Sequence, residues 1–270
     1  MSKLRFSSLI LMFSFMASPI MPEAIRLIDT ATAQEEKKKK PKTRRSQVLS
    51  KGAFNQITSA QEALSEGNHE TAMNILLNMM KSDRYKPYEK GVAQQTYAYV
   101  WADKGDYTRA LVEFERALNL GVLPEQVQLD LTYNIAQLSI AEDNPKQALR
   151  YLNRWFSQVE DPSASAYGLK AQIYLIMDNL KQAEKNVNKA ISMSDSPKES
   201  WYRILLSVYL QQERYKEALP ILEVVVDRFP GKKAFWQQLS AVYQELGMEK
   251  KAFTAQQAMH SQDMLKTSKE

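Results

Sequence analysis

The 270-residue chain has no cysteine. That excludes disulfides, thiolate metal sites, a cysteine nucleophile and an acylated-cysteine anchor. It also suits an oxidising compartment, where a stray thiol is a liability. Histidine is nearly absent: His69 and His260 alone are too few for a histidine-built metal centre. Eight glycines and ten prolines are few for a β-rich protein, whose tight turns draw on both. No phosphate-cradling glycine loop, GxSxG or HExxH is present. Glu35 and Glu36 adjoin a lysine run, while Glu113 and Glu115 diverge on a helix toward water, so neither pair has a catalytic setting. His69 occupies a turn position and reads as structural; His260 suits the C-terminal end of a last helix through its dipole. These residues point to no enzyme, metal or cofactor.

Alanine, leucine, glutamine, glutamate and lysine are plentiful, and they lose little rotamer freedom in a helix. With 44% apolar and 25% charged residues, the expectation is an all-α chain with a sizeable core.

The first 33 residues read as an export signal. Lys3 and Arg5 precede an apolar run from Phe6 to Met21, and Ala31 and Ala33 supply the small residues a signal peptidase reads. Cleavage after Ala33 is the expectation. A retained anchor stays open as the alternative, because a basic cluster follows directly and would favour the cytoplasmic side. Against it, Pro19, Pro22, Glu23 and Arg26 interrupt the segment before it reaches a full span.

The pI near 9.1 invites a nucleic-acid reading, so the charge has to be located. Residues 34–45 carry Lys37, Lys38, Lys39, Lys40, Lys42, Arg44 and Arg45 against two glutamates, a net +5. Residues 1–33 are +1, which leaves 46–270 at −1. A folded part that is neutral overall argues against a nucleic-acid groove. The run itself reads as a disordered linker making few contacts with the fold, with weak attraction to anionic headgroups as its functional reading.

Internal repetition organises the rest. Ala72, Ala110, Ala148, Ala183, Ala218 and Ala252 recur at intervals of 38, 38, 35, 35 and 34 residues. Each follows a turn signal: EGNHETA, KGDYTRA, EDNPKQA, MDNLKQA, QERYKEA, LGMEKKA. Twelve residues upstream stands a small residue, with Leu206 the exception; nine upstream stand Trp101, Tyr174, Tyr209 and Tyr243, with Ala63 and Ser139 in the first and third units. The pattern predicts six antiparallel helix pairs across residues 46–262, with the alanines packed between helices and a flexible tail at 263–270. The extra residues of the two longer intervals are expected in loops near Ser82–Pro87 and Gly121–Pro124.

The segment YTRALVEFERA from Tyr107 resembles the second helix of a tetratricopeptide repeat, as does Tyr215–Ala218 with Pro230 closing its unit. Trp236, Leu239, Tyr243, Gly247 and Ala252 match the same family pattern, while the first unit diverges and looks like a cap. The resemblance implies an α-solenoid wound as a right-handed superhelix. Its concave face, lined by the first helix of each pair, would bind a partner. By register that face carries Gln61, Gln95, Tyr99, Tyr133, Asn134, Gln137, Gln172, Arg203, Ser207, Gln237, Gln238 and Gln244. Amides and tyrosines suit an extended peptide backbone or a helix. The lysine and asparagine carboxylate clamp of the best-known peptide-binding members is absent.

The whole chain is similar to tetratricopeptide proteins found beside TonB systems of Gram-negative bacteria. The residues that carry this are the signal-like start, the basic run, LSKGAFNQITSAQEALSEGNHETAMNIL, PYEKGVAQQTYAY and PKESWYRILLSVYLQQERYKEALPILEVVVDRFP. That resemblance implies a periplasmic, non-enzymatic accessory of a TonB–ExbB–ExbD complex powering outer-membrane, iron-siderophore-type uptake. The competing reading is an envelope scaffold for outer-membrane protein assembly or secretion.

Overall fold

The computed structural model describes residues 48–261; the signal-like segment, the basic run and the residues after Ser261 lie outside this range. Among the described residues there are twelve helices and no strand. They are α1 (Lys51–Ser65), α2 (His69–Lys81), α3 (Pro87–Asp103), α4 (Tyr107–Asn119), α5 (Glu125–Ala141) and α6 (Pro145–Phe156), followed by α7 (Ala164–Ile176), α8 (Leu180–Ser192), α9 (Glu199–Gln211), α10 (Tyr215–Arg228), α11 (Lys233–Glu245) and α12 (Glu249–Ser261). Consecutive helices form six pairs, and each pair packs on the next to give an α-solenoid. Among the described residues no helix is long and apolar enough to cross a membrane.

Helix crossing explains the alanine spacing. All six central alanines are buried, from Ala72 at 0% exposure to Ala252 at 3%. The small residues twelve positions upstream (Ala60, Ala98, Ala136, Ala171 and Ser240) are buried against them, and Leu206 fills the same place in the fifth unit. A side chain without extent past Cβ lets two backbones approach closely, and larger neighbours such as Phe114 and Leu222 then close the gaps.

The turn inside each pair is built one way six times. A residue with positive φ stands five positions before each alanine: Gly67, Gly105, Asp143, Asp178, Glu213 and Gly247. The next amide reaches back to the carbonyl five residues earlier, as from Asn68 to Ala63 and from Asp106 to Trp101, which completes a Schellman closure of the first helix. In four units that same residue caps the second helix: Asn68, Asp106, Asn144 and Asn179 each accept from the amide three residues on. One residue thus ends one helix and starts another.

The aromatic nine positions upstream does more than fill space. The Tyr243 hydroxyl donates to Glu223 of the preceding unit at 2.8 Å. Further polar ties cross other junctions: His69 Nε2 to Asp103 at 2.7 Å, Thr108 to Glu142, and Arg214 to Glu184 at 2.7 Å. His69 is therefore structural.

The 38-residue intervals do not lengthen the loops, as the sequence suggested. The connections before α3 and α5 span five residues each, against seven, six and four before α7, α9 and α11, while α3 and α5 run to 17 residues against 13 in those three helices. Proline is the physical reason. Pro87 occupies the first turn of α3 and Pro124 immediately precedes α5, positions where its fixed φ begins a helix at no hydrogen-bond cost.

The two ends differ from the middle. Where later units bury Ala93 and Val100, or Phe235 and Val242, the first unit exposes Asn55 and Glu62. Where earlier units bury Leu76, Phe114, Leu152, Val187 and Leu222, the last exposes Gln256. Polar outer faces of this kind cap a repeat stack. At the entry, Glu89 is 1% exposed: its carboxylate accepts the Ser50 and Lys86 amides, each at 2.8 Å. Ser50 Oγ in turn caps α1 through the Ala53 amide.

Candidate interaction face

Helices α1, α3, α5, α7, α9 and α11 hold the residues expected to bind a partner, and contacts between successive first helices set their positions. Tyr99 on α3 and Asn134 on α5 meet directly, with Asn134 Nδ2 donating to the phenol oxygen at 3.0 Å. Gln95 stands one turn before Tyr99 on α3, and Asp130 lies close enough to influence the hydroxyl. The Tyr99 ring stands edge-on to Phe114 at 4.9 Å. Burial pushes the Tyr99 hydroxyl up, and that of Tyr133 up to about 12, so both stay neutral donors at physiological pH.

Tyr133 faces Trp155 at 5.1 Å. From there an aromatic chain runs through Phe156 (5.5 Å) to Tyr167 on α7 (5.1 Å), with the Lys170 ammonium 4.4 Å over Phe156. Trp155 stands where the second and fourth units bury Ala117 and Ala190. The junction between the third and fourth pairs is thus bridged by half-buried aromatics, beside a buried cluster of only Ala136, Ala148, Leu152 and Ile173.

Arg203 binds Glu199 on its own helix through Nε at 2.8 Å and Nη2 at 2.6 Å, and its guanidinium lies 4.7 Å over the Phe235 ring of α11. Lys232 adds a second cation to Glu199 at 3.5 Å. Arg203 therefore clips the fifth pair to the sixth. Ser207 accepts from Gln211 at 2.9 Å. Gln61, Gln137 and Gln172 are half-buried and Gln237 is exposed, and none of the four makes a side-chain hydrogen bond among the described residues. Gln238 is half-buried with its Oε1 buried and unpartnered.

Gln244 lies apart. It lines a shallow depression at the C-terminal end with Glu249, Ala252, Phe253 and Gln256, at the register where Leu64, Ala102 and Leu210 pack within the stack. It belongs to the end of the solenoid, not to the shared face. Nor do Glu113 and Glu115 simply face water: Glu113 takes Gln94 and Arg116, while Glu115 takes Gln147 and Tyr151 of the next pair. Each carboxylate is occupied by hydrogen-bond donors, an arrangement that holds helices together. Among the described residues no cluster of histidine and carboxylate side chains could hold a metal.

Residues 164–197, the fourth pair, match the family model for the tetratricopeptide repeat. The sequence pattern was most regular in the second, fifth and sixth units, yet Ala171, Tyr174, Ala183 and Ala190 show the fourth keeps the register. No curated protein matches the chain. Solved structures do. A tetratricopeptide repeat protein from Parabacteroides merdae ATCC 43184 is 14% identical, with a TM-score of 0.61 over 78% of this chain and 80% of that one. MamA 41-end from Desulfovibrio magneticus RS-1 is 19% identical, with a TM-score of 0.57 over 69% of this chain and 99% of that one. YrrB, described as a TPR protein with an unusual peptide-binding site, is 14% identical, with a TM-score of 0.54 over 66% of this chain and 88% of that one. The chain carries a tetratricopeptide repeat at 164–197 and folds throughout the described residues as a solenoid of that type.

Proposed function

We propose that this protein is a non-catalytic protein-binding scaffold of the bacterial envelope, an exported accessory of a TonB–ExbB–ExbD complex. The face formed by the first helices binds an extended segment or helix of a partner. The observation that carries the binding reading is the row of amides without partners among the described residues, Gln61, Gln137, Gln172 and Gln237, beside neutral Tyr99 and Tyr133. Groups that donate and accept without net charge suit a peptide backbone. YrrB shows that solenoids of this shape are described with peptide sites. The envelope and TonB assignments rest on the sequence: the signal-like start, the cysteine-free chain and similarity along its length to TonB-associated proteins.

The test is co-purification of TonB-system subunits with the tagged protein, joined to siderophore uptake in a deletion strain. Loss of uptake, restored by the intact gene and not by a Gln61/Gln137/Gln172 triple-alanine variant, supports the proposal. That variant breaks no hydrogen bond within the described chain, so its effect reports binding, unlike one at Tyr99. Normal uptake in the deletion strain would turn the assignment toward an envelope scaffold serving outer-membrane assembly or secretion.

A further inference from the structure

The near-neutral folded part conceals an uneven distribution of charge. On α6, Lys146, Arg150 and Arg154 follow one another at intervals of four; on α8, Lys181, Lys185 and Lys189 do the same. All six are exposed. They occupy one register, two residues before the central alanine and two and six after it, in consecutive units. Repetition of the solenoid therefore turns both rows toward the same side, each about 12 Å long at 1.5 Å per residue. α7 packs between the two helices.

Little neutralises the rows. Among the described residues the only ion pair made by these six is Arg150 with Glu115, at 3.9 Å. α6 contains no carboxylate, and the single one on α8, Glu184, is held by Arg214. Asp143, Asp178, Glu160, Asp161 and Asp195 lie beyond the helix ends, flanking the rows without interrupting them. Burial lowers the Lys170 pKa, and the neighbouring Lys185 lowers it further, a sign that positive potential accumulates here.

The register differs elsewhere. At these positions the second unit has Arg116, paired with Glu113, beside exposed Val112, and the fifth has Lys216 beside exposed Pro220 and Val224. Rows of three basic residues stand only in the third and fourth units among the described residues.

We propose that this face is a second binding surface, distinct from the amide row, and that it docks on an anionic lipid surface. Two features favour lipid over an acidic protein or a nucleic acid. The rows carry no exposed aromatic or apolar anchor for a peptide hot spot or for base stacking. The depression beside Asn144, Lys146, Gln147 and Arg150 is shallow and open, not a pocket shaped for one group. Four lysines and two arginines on flexible stems recognise density of negative charge, not shape.

The experiment is flotation of the full-length chain with vesicles of phosphatidylcholine alone or with 30% phosphatidylglycerol, chosen as a roughly physiological anionic fraction. The reading is the difference between the two compositions, which cancels any insertion by the apolar N-terminal segment. A face variant replaces the six residues by Gln, and a tail variant replaces the seven basic residues of 34–45 by Gln. Helicity by circular dichroism verifies that each folds. Each basic residue near such a surface contributes about fivefold. Curvature keeps some of them away, so loss of about tenfold or more in phosphatidylglycerol-dependent binding is expected for the face variant. The tail variant should retain face-dependent binding, and 0.5 M salt should abolish it. Face-variant binding equal to wild type overturns the proposal, as does absence of phosphatidylglycerol-dependent binding in wild type. Six-residue-dependent capture of polyglutamate or duplex DNA under conditions where vesicles are ignored also overturns it, in favour of that partner.

Discussion

Tyr99 and Asn134 stand 35 residues apart in sequence and 3.0 Å apart in space, the phenol of the second helix pair accepting from the amide of the third. Tyr99→Phe removes the acceptor and leaves a half-buried amide with one partner fewer. A loss of about 1 kcal/mol is expected, with the Asn134→Ala variant costing a similar amount and the double variant less than their sum. Urea denaturation of the four proteins measures it. Strict additivity would show that the contact contributes nothing.

Positive φ sorts the six turns into two chemical classes. Gly67, Gly105 and Gly247 adopt it freely, whereas Glu213, at φ 56, has a Cβ to accommodate. Glu213→Gly should therefore stabilise by roughly 0.5–1 kcal/mol, and Gly105→Ala should destabilise by at least that much. The melting temperatures of both variants are the readout, and a rise for each would contradict the turn geometry.

Glu89 gives the N-terminal end a pH dependence. Burial alone would raise its pKa, but the Lys86 and Ser50 amides outweigh that and hold it below the usual 4.5. A carboxyl whose folded pKa is depressed contributes stability that is present above the unfolded value and lost as pH falls through the folded one. Hydrogen exchange at α1 should therefore speed up as pH drops below about 4.5, after correction for intrinsic rates. Glu89→Gln should flatten that dependence and cost about 2 kcal/mol at neutral pH.

The aromatic bridge between the third and fourth pairs should be the weakest seam. Trp155→Ala removes the ring joining Tyr133 to Phe156. About 2–3 kcal/mol is expected, below the full-burial range because the indole is half-exposed. Nearest-neighbour coupling governs solenoids, so the loss should also divide one unfolding transition into two. Circular dichroism and exchange mass spectrometry would report it; a single shifted transition in both probes would argue against a seam.

Legibility followed physical necessity. The alanine register could be read directly because a helix crossing tolerates only small residues, and the six pairs fall where Ala72 through Ala252 place them. The left-handed residue at each turn was readable only at the three glycines; Asp143, Asp178 and Glu213 look like ordinary polar turn residues. The extra turns of α3 and α5 were hidden because an inserted four-residue segment can extend either a helix or a loop, and only Pro87 and Pro124 hinted which. Gln244 carries the same chemistry as the other glutamines, and only its place on an unstacked end sets it apart. The basic rows become visible once register and exposure are known together, because the net charge averages them away.

The Ser50–Glu89 contact also defines a load path. Tension entering along the chain before Ser50 passes through its amide to α3 before it can peel α1 from the stack. The first helix is thus bypassed: a pull on the N-terminal segment is shared by two helix pairs from the outset, so the end unit is not the one that must bear it alone.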